Sequence, residues 1–261
     1  MYRPMQSEGS LIQKAFTQYH QTGFVEIQDL LPVSVCEELN VVLTKQLSTS
    51  FFDETGFGWL GQNAVQHLPL FTEVLLQHKI PQYAAQILNI DEVLLFQDLI
   101  IWKPPQSKRQ VEWHQDYSYW RVDQPKGLTL WIALDESNEL EGTIRYIPRS
   151  HQWGECQPTI YTLESSHAQP SDLPPLQWKQ YESEAQFVNV NRGSAIAHHP
   201  LICHMSPINR SSHHRRAWSI TFMCPSVGWA PEHAPHPLNH QLLLPSKAAL
   251  KHGNFPSFSV Q

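Results

Sequence analysis

The chain has 261 residues, 41% of them apolar and nine of them tryptophan, so one large core in a single domain spanning residues 1–261 is expected. A formal charge of −6 argues against nucleic acid or an anionic membrane as the main partner. No apolar run approaches the ~20 residues of a membrane span, the first ten residues lack an apolar signal core, and Cys36, Cys156, Cys203 and Cys224 form neither a C-x-x-C pair nor a secreted framework. A soluble, cytoplasmic, monomeric or homodimeric protein with reduced thiols is therefore expected.

Leu11, Ile12, Ala15, Phe16 and Tyr19 recur at helical spacing after Ser10, and Gly23 ends that helix before a short strand, Phe24 to Ile27. A second helix is predicted from about Pro32 through Leu43, and a third over roughly 70–89, interrupted near Pro81. The helical part thus runs from about 10 to 90. From Val93 the pattern changes. "VLLFQDLIIW" reads as a strand ended by Pro104-Pro105. In "LTLWIAL", Leu128, Leu130, Ile132 and Leu134 alternate with Thr129, Trp131 and Ala133. Further strands are expected at 143–147, 186–190, 194–199 and 217–223. Helices followed by many short strands imply an α+β fold with a mainly β core, and the strand count suits a jelly roll over about 93–225 with a tail from 226. Residues 154–185 are polar and aperiodic, which fits either a flap over a site or a solvated insertion.

The stretch "EWHQDYSYW" (112–120) sets His114 and Asp116 two apart among aromatics. On a regular strand both would project from one face together with Trp120, leaving Tyr117 and Tyr119 on the other. An imidazole and a carboxylate so placed supply two ligands of a two-His-one-carboxylate site, whose open positions suit non-haem iron(II) and oxygen. The same pair is equally a carboxylate beside a cation and a histidine packed among Trp113, Tyr117 and Trp120. His198, His199 and His204 are all candidates for a third ligand.

The ordered set "KPP" (103–105), "WHQD" (113–116), "LTLWIALDE" (128–136), "GTIRYIPRSH" (142–151) and "GSAIAHHPLICHMSPINRSSHHRRAWSITF" (193–222), preceded by "AFTQYHQTGFVEIQDLLP", resembles the phytanoyl-CoA dioxygenase family of iron(II)- and 2-oxoglutarate-dependent oxygenases. The resemblance covers about residues 10–225. It implies a double-stranded β-helix (jelly roll, cupin-like) with flanking N-terminal helices. It also implies His114, Asp116 and His204 as iron ligands, with Arg215 pairing the distal carboxylate of 2-oxoglutarate and Ser206 adding a hydroxyl donor. His204 is the histidine that stands eleven residues before Arg215 with Ser206 between. Arg216 is the alternative should the strand register differ by one, since the two arginines must face opposite sides. Trp131, Phe96 and Lys103 match family positions near the co-substrate, although Lys103 also reads as a solvated strand-end lysine. Trp120 is the candidate substrate contact.

Two departures stand out. Glu141-Gly142 replaces the usual Asn-Gly, and Arg149 replaces the glycine of the "IPGSH" pattern, where it is read as surface or as a group facing an acidic substrate. The implied activity is hydroxylation of a C–H bond in a small organic molecule, coupled to decarboxylation of 2-oxoglutarate to succinate and CO₂, with O₂ as oxidant and ascorbate as auxiliary reductant. Asp116 argues against halogenation, which needs a small residue there. Rival readings are a cupin-like isomerase or hydrolase that does not use 2-oxoglutarate, and a non-catalytic jelly-roll binding module.

Overall fold

Gly23, in the left-handed region at φ 88°, ends the first helix as its spacing predicts, and its N–H bonds back to Tyr19 O. The computed structural model describes residues 6–56, 58–158, 173–231, 233, 248, 250 and 255–259. Helix α1 (Gln6–Thr22) leads into strand β1 (Phe24–Ile27), then α2 (Val33–Gln46), the hairpin β2 (Phe52–Thr55) and β3 (Gly58–Gln62), and the short α3 (Ala64–His67). The helix expected at 70–89 is two: α4 (Pro69–Gln77) and α5 (Ile80–Leu88). The break is at left-handed Lys79, and Pro81 sits in the first turn of α5, where a missing N–H removes no helical bond. The strands that follow are β4 (Glu92–Lys103), β5 (Val111–His114), β6 (Gly127–Ala133), β7 (Arg145–Tyr146), β8 (Gln186–Phe187), β9 (Ala195–His198), β10 (His204–Ser206), β11 (Arg215–Met223) and β12 (Ser257–Ser259).

These strands form a double-stranded β-helix of two antiparallel sheets. The larger has the order β1-β9-β6-β11-β4-β3-β2, with β12 also paired to β4, and the smaller is β5-β10-β7-β8. Strand β6 shows why the sequence alternates while every residue is buried. Leu128, Leu130 and Ile132 pack outward into the core shared with the helices, with Tyr19, Leu39, Phe71 and Ile80. Trp131 and Ala133 face inward with Tyr146, Ile196 and Ala217. The inward positions line up in rows across the sheet: His198, Thr129, Thr221 and Gln97 in one, Ile196, Trp131, Ser219 and Leu99 in the next.

Strands β2, β3, β10 and β12 carry too little alternation to be legible from sequence. Residues beyond 226 do more than trail away, because β12 pairs with Glu92, Val93 and Leu94, and Leu250 and Phe255 are buried. Of the 154–185 stretch, residues 159–172 lie outside the described part. A 3₁₀ run over Trp178–Glu184 lays Trp178 against Trp113, ring centroids 5.8 Å apart. Among the described residues no helix is long and apolar enough to cross a membrane.

Candidate metal centre

Strands β5 and β10 pair so that His114 and His204 are direct partners across the ladder. Each ring has its Nδ1 on a backbone carbonyl two residues back, His114 on Glu112 at 2.7 Å and His204 on Ile202 at 3.0 Å. A carbonyl only accepts, so both Nδ1 atoms carry a proton, and Nε2 is on each ring the nitrogen turned to a metal. Burial, then the neighbouring His114, holds His204 well below the usual imidazole range and hence neutral.

Asp116 reaches the same point by a different route from the one its spacing predicts. The strand stops at His114, and Asp116 takes helical angles (φ −61°, ψ −42°) at the start of a 3₁₀ turn, Tyr117–Tyr119. The turn curls the carboxylate back beneath the two imidazoles: Oδ1 lies 3.4 Å from His114 Nε2 and 3.7 Å from His204 Nε2. One ligand atom from each of the three residues lies within 4.8 Å of the others. Burial alone raises the Asp116 pKa, but the surrounding His204, His114 and His198 pull it well below the ordinary carboxylate range. Two imidazoles and one carboxylate form a mixed nitrogen and oxygen donor set with one side open, which fits iron(II). Of the other histidines, His198 touches Asp116 Oδ2 at 3.1 Å, whereas His199 packs against His151 and Tyr19 and takes no part.

The triad opens onto a cavity of about 170 Å³. Arg215 and Thr221 stand six positions apart along β11, roughly 20 Å of strand, so the cavity is long and its two ends differ. At one end the Arg215 guanidinium lies over the Trp131 ring, 5.4 Å from its centroid, with Nη2 donating to Ser206 Oγ at 2.9 Å. Arg215 is 1% exposed, its Nε has no hydrogen-bond partner, and it makes no ion pair among the described residues. A buried cation with a donor to spare at the end of a cavity suits a carboxylate. Arg216 faces the opposite side and is tied to Asp135 through Nε (2.7 Å) and Nη2 (2.8 Å).

Other expected positions shift. Lys103 is fully buried, not solvated, and lies behind Ser206, donating to Ser206 O at 2.9 Å and Ser206 Oγ at 2.7 Å. The Ser206 hydroxyl hydrogen goes to Gly142 O at 2.9 Å, so it orders Arg215 instead of donating to a ligand. Phe96 does not line the cavity. A bulge in the β4–β11 ladder pairs Thr221 with Gln97 and Phe222 with Leu95, and the unpaired Phe96 turns to Trp120 and Phe255. Gln97 and Leu99 line the cavity in its place. Trp120 lines the wall. Tyr119 joins it because the 3₁₀ turn breaks the alternation, while Tyr117 points away, its hydroxyl on Val122 O. Arg149 is exposed beside Glu184 and has a left-handed φ of 68°, the conformation for which a glycine is suited.

The family model described as phytanoyl-CoA dioxygenase (PhyH) matches residues 19–217. A phytanoyl-CoA dioxygenase of Arabidopsis thaliana is 30% identical over 185 residues, 65% of this chain and 63% of that protein. A phytanoyl-CoA dioxygenase domain-containing protein 1 homolog of Caenorhabditis briggsae is 30% identical over 161 residues, 59% of this chain and 54% of that protein. The chain spans about half the length of the first curated relatives it matches. Among solved structures, the carbocyclase SnoK of nogalamycin biosynthesis superposes with a TM-score of 0.77 at 19% identity, covering 95% of this chain and 96% of that one. The epimerase SnoN of the same biosynthesis gives 0.76 at 16%, covering 95% and 98%. With most of its length inside the family model, and with the fold of these neighbours, the chain belongs to the phytanoyl-CoA dioxygenase family.

Proposed function

We propose that the chain is an iron(II)- and 2-oxoglutarate-dependent oxygenase that hydroxylates a C–H bond of a small organic molecule. The observation that carries this reading is the presence, in one cavity, of an open two-His-one-carboxylate triad and a buried guanidinium without an ion-pair partner among the described residues. His114, Asp116 and His204 would hold the iron. Arg215, over the Trp131 ring, would receive the distal carboxylate of 2-oxoglutarate. When bound, iron supplies the oxidative chemistry, in which one atom of O₂ enters succinate as 2-oxoglutarate loses CO₂ and the other enters the substrate C–H bond.

The protein's own contribution is orientation and exclusion of water. Asp116 is ionised and His204 neutral in the fold, so both are ready as ligands at neutral pH. Leu60, Leu99, Ile101, Val111 and Met205 make the cavity largely apolar, which strengthens the pull of Arg215 on a carboxylate. Beyond the triad the wall turns aromatic and neutral-polar, with Tyr119, Trp120, Gln97 and Thr221, which suits an uncharged or weakly polar organic substrate. SnoK and SnoN are a carbocyclase and an epimerase. The same chemistry on the same fold therefore extends to ring closure and epimerisation, and product analysis has to distinguish these from hydroxylation.

The test is anaerobic addition of iron(II) and 2-oxoglutarate, followed by O₂ and ascorbate. The reading expects a visible iron-to-2-oxoglutarate charge-transfer band, then succinate. Metal binding without succinate would turn the assignment to a metal enzyme independent of 2-oxoglutarate, and absence of metal binding to a non-catalytic module.

A further inference from the structure

We propose that His198, locked by Tyr146, is a positioning residue that occupies the outer oxygen of Asp116 and so limits Asp116 to a single oxygen at the metal. The inference rests on the triad reading above and adds a residue and a role to it.

His198 is the last residue of β9, 2% exposed, and projects inward in the row that also holds Thr129. Its ring bridges two groups. Nδ1 lies 2.9 Å from the Tyr146 hydroxyl and Nε2 lies 3.1 Å from Asp116 Oδ2. Tyr146 is fully buried, and among the described residues its hydroxyl meets one hydrogen-bond partner, this nitrogen. A buried phenol must donate its hydrogen, because leaving it unpaired costs about 1–3 kcal/mol. Nδ1 is then the acceptor, Nε2 carries the proton, and the chain runs in one direction: Tyr146 O–H to Nδ1, Nε2–H to Asp116 Oδ2.

Two consequences follow. With a hydrogen on Nε2, His198 has no lone pair aimed at the metal point and is not a fourth ligand; the atoms that converge belong to His114, Asp116 and His204. Asp116 Oδ2 is engaged by this N–H and, more distantly, by Thr129 Oγ1 at 3.4 Å. Oδ1 alone stays free, turned toward His114 and His204. A carboxylate able to rotate could chelate with both oxygens and fill one of the three open positions; His198 prevents that. Partners of this kind typically change metal affinity by 10–100-fold.

The experiment titrates cobalt(II), anaerobically and without co-substrate, into the full chain, with affinity read by calorimetry and geometry by d–d absorption. His198→Phe keeps the ring volume but removes the donor; it should weaken cobalt binding by about 10–100-fold and change the absorption. His198→Gln, whose amide can donate to Oδ2, should regain most of the loss. Tyr146→Phe should weaken binding less than His198→Phe, and the double variant should be no weaker than His198→Phe alone. A folded His198→Phe protein with wild-type affinity and spectrum would overturn the proposal, as would losses in the two single variants that multiply in the double. If His198→Phe fails to fold, Tyr146→Phe decides by itself, and unchanged affinity there also overturns it. Asp116→Ala separates the two levels. Loss of cobalt in that variant but not in His198→Phe sinks only the positioning role, whereas no loss in either removes the triad.

Discussion

His114 and His204 sit 4.1 Å apart, ring centroid to ring centroid, as facing partners on neighbouring strands of the smaller sheet. Their spacing is set by backbone pairing, and their ring orientation by the carbonyls two residues before each, so the pair is preorganised before any ion arrives. Asp116, in contrast, hangs on a turn outside the ladder. Asp116→Ala is expected to abolish succinate formation while the metal-free protein keeps its circular-dichroism spectrum and cooperative melting. Turnover at the wild-type rate would remove the triad.

Arg215→Ala is expected to raise the 2-oxoglutarate concentration needed for half-maximal turnover about a hundredfold, corresponding to roughly 3 kcal/mol for losing one side of a buried charge pair. Metal affinity should move far less. Arg215→Lys should recover little, since a lysine lacks the planar fork that meets a carboxylate and packs over Trp131.

The neighbouring pair gives the contrasting control. Asp135 accepts from the Arg216 backbone and side chain and from Asn40, with 5% of its surface exposed. Asp135→Ala strands these donors and should lower stability by about 3 kcal/mol, measured by urea unfolding. It should leave the 2-oxoglutarate requirement near wild type; a large change there would mean that the two arginines do not divide their roles as their faces indicate.

Gly142 lies at the Arg215 end of the cavity, where its carbonyl receives the Ser206 hydroxyl. Its φ is 76°, and a Cβ there would stand 2.5 Å from Pro207 O. Gly142→Ala is expected to cost about 1–3 kcal/mol in stability and to weaken 2-oxoglutarate binding, because displaced backbone moves Ser206 and with it Arg215. A thermal melt together with a co-substrate titration checks both.

Asp98, 3% exposed, gives stability a pH dependence. Burial raises its pKa from 3.8 to about 6, against the opposing hydrogen bonds from Trp218 Nε1 and Val65 N. The fold therefore holds this proton more tightly than the unfolded chain does. The stability it contributes is present below the unfolded value and lost as pH rises through about 6. Asp98→Asn should flatten that fall, compared by urea midpoints at about pH 4 and about pH 7.5.

Much of the fold is legible because it rests on local rules. The alternation in β6, the stop at Gly23 and the break before Pro81 each follow from one residue's geometry. What escaped depends on chain behaviour that spacing does not encode. Asp116 converges by a turn and not by strand periodicity, and the same turn brings Tyr119 to the wall. The β4 bulge ejects Phe96 and brings in Gln97, and a strand buried on both faces gives no hydrophobic contrast to announce it. The hydrogen bonds of Lys103 and Ser206 point at each other and at backbone, which only coordinates reveal. His198 carried a signal, one member of a histidine cluster, without anything to separate a ligand from the partner of a ligand.

The stacking of Phe96 on Phe255, 5.5 Å between centroids, with Trp120 leaning on Phe96, has a consequence for synthesis on the ribosome. A nascent chain that has emerged through Met223 already holds both imidazoles, the carboxylate and Arg215. Until residue 255 follows, Phe96 lacks its stacking partner, so the packing behind Trp120 is completed after the chemical groups of the cavity are in place.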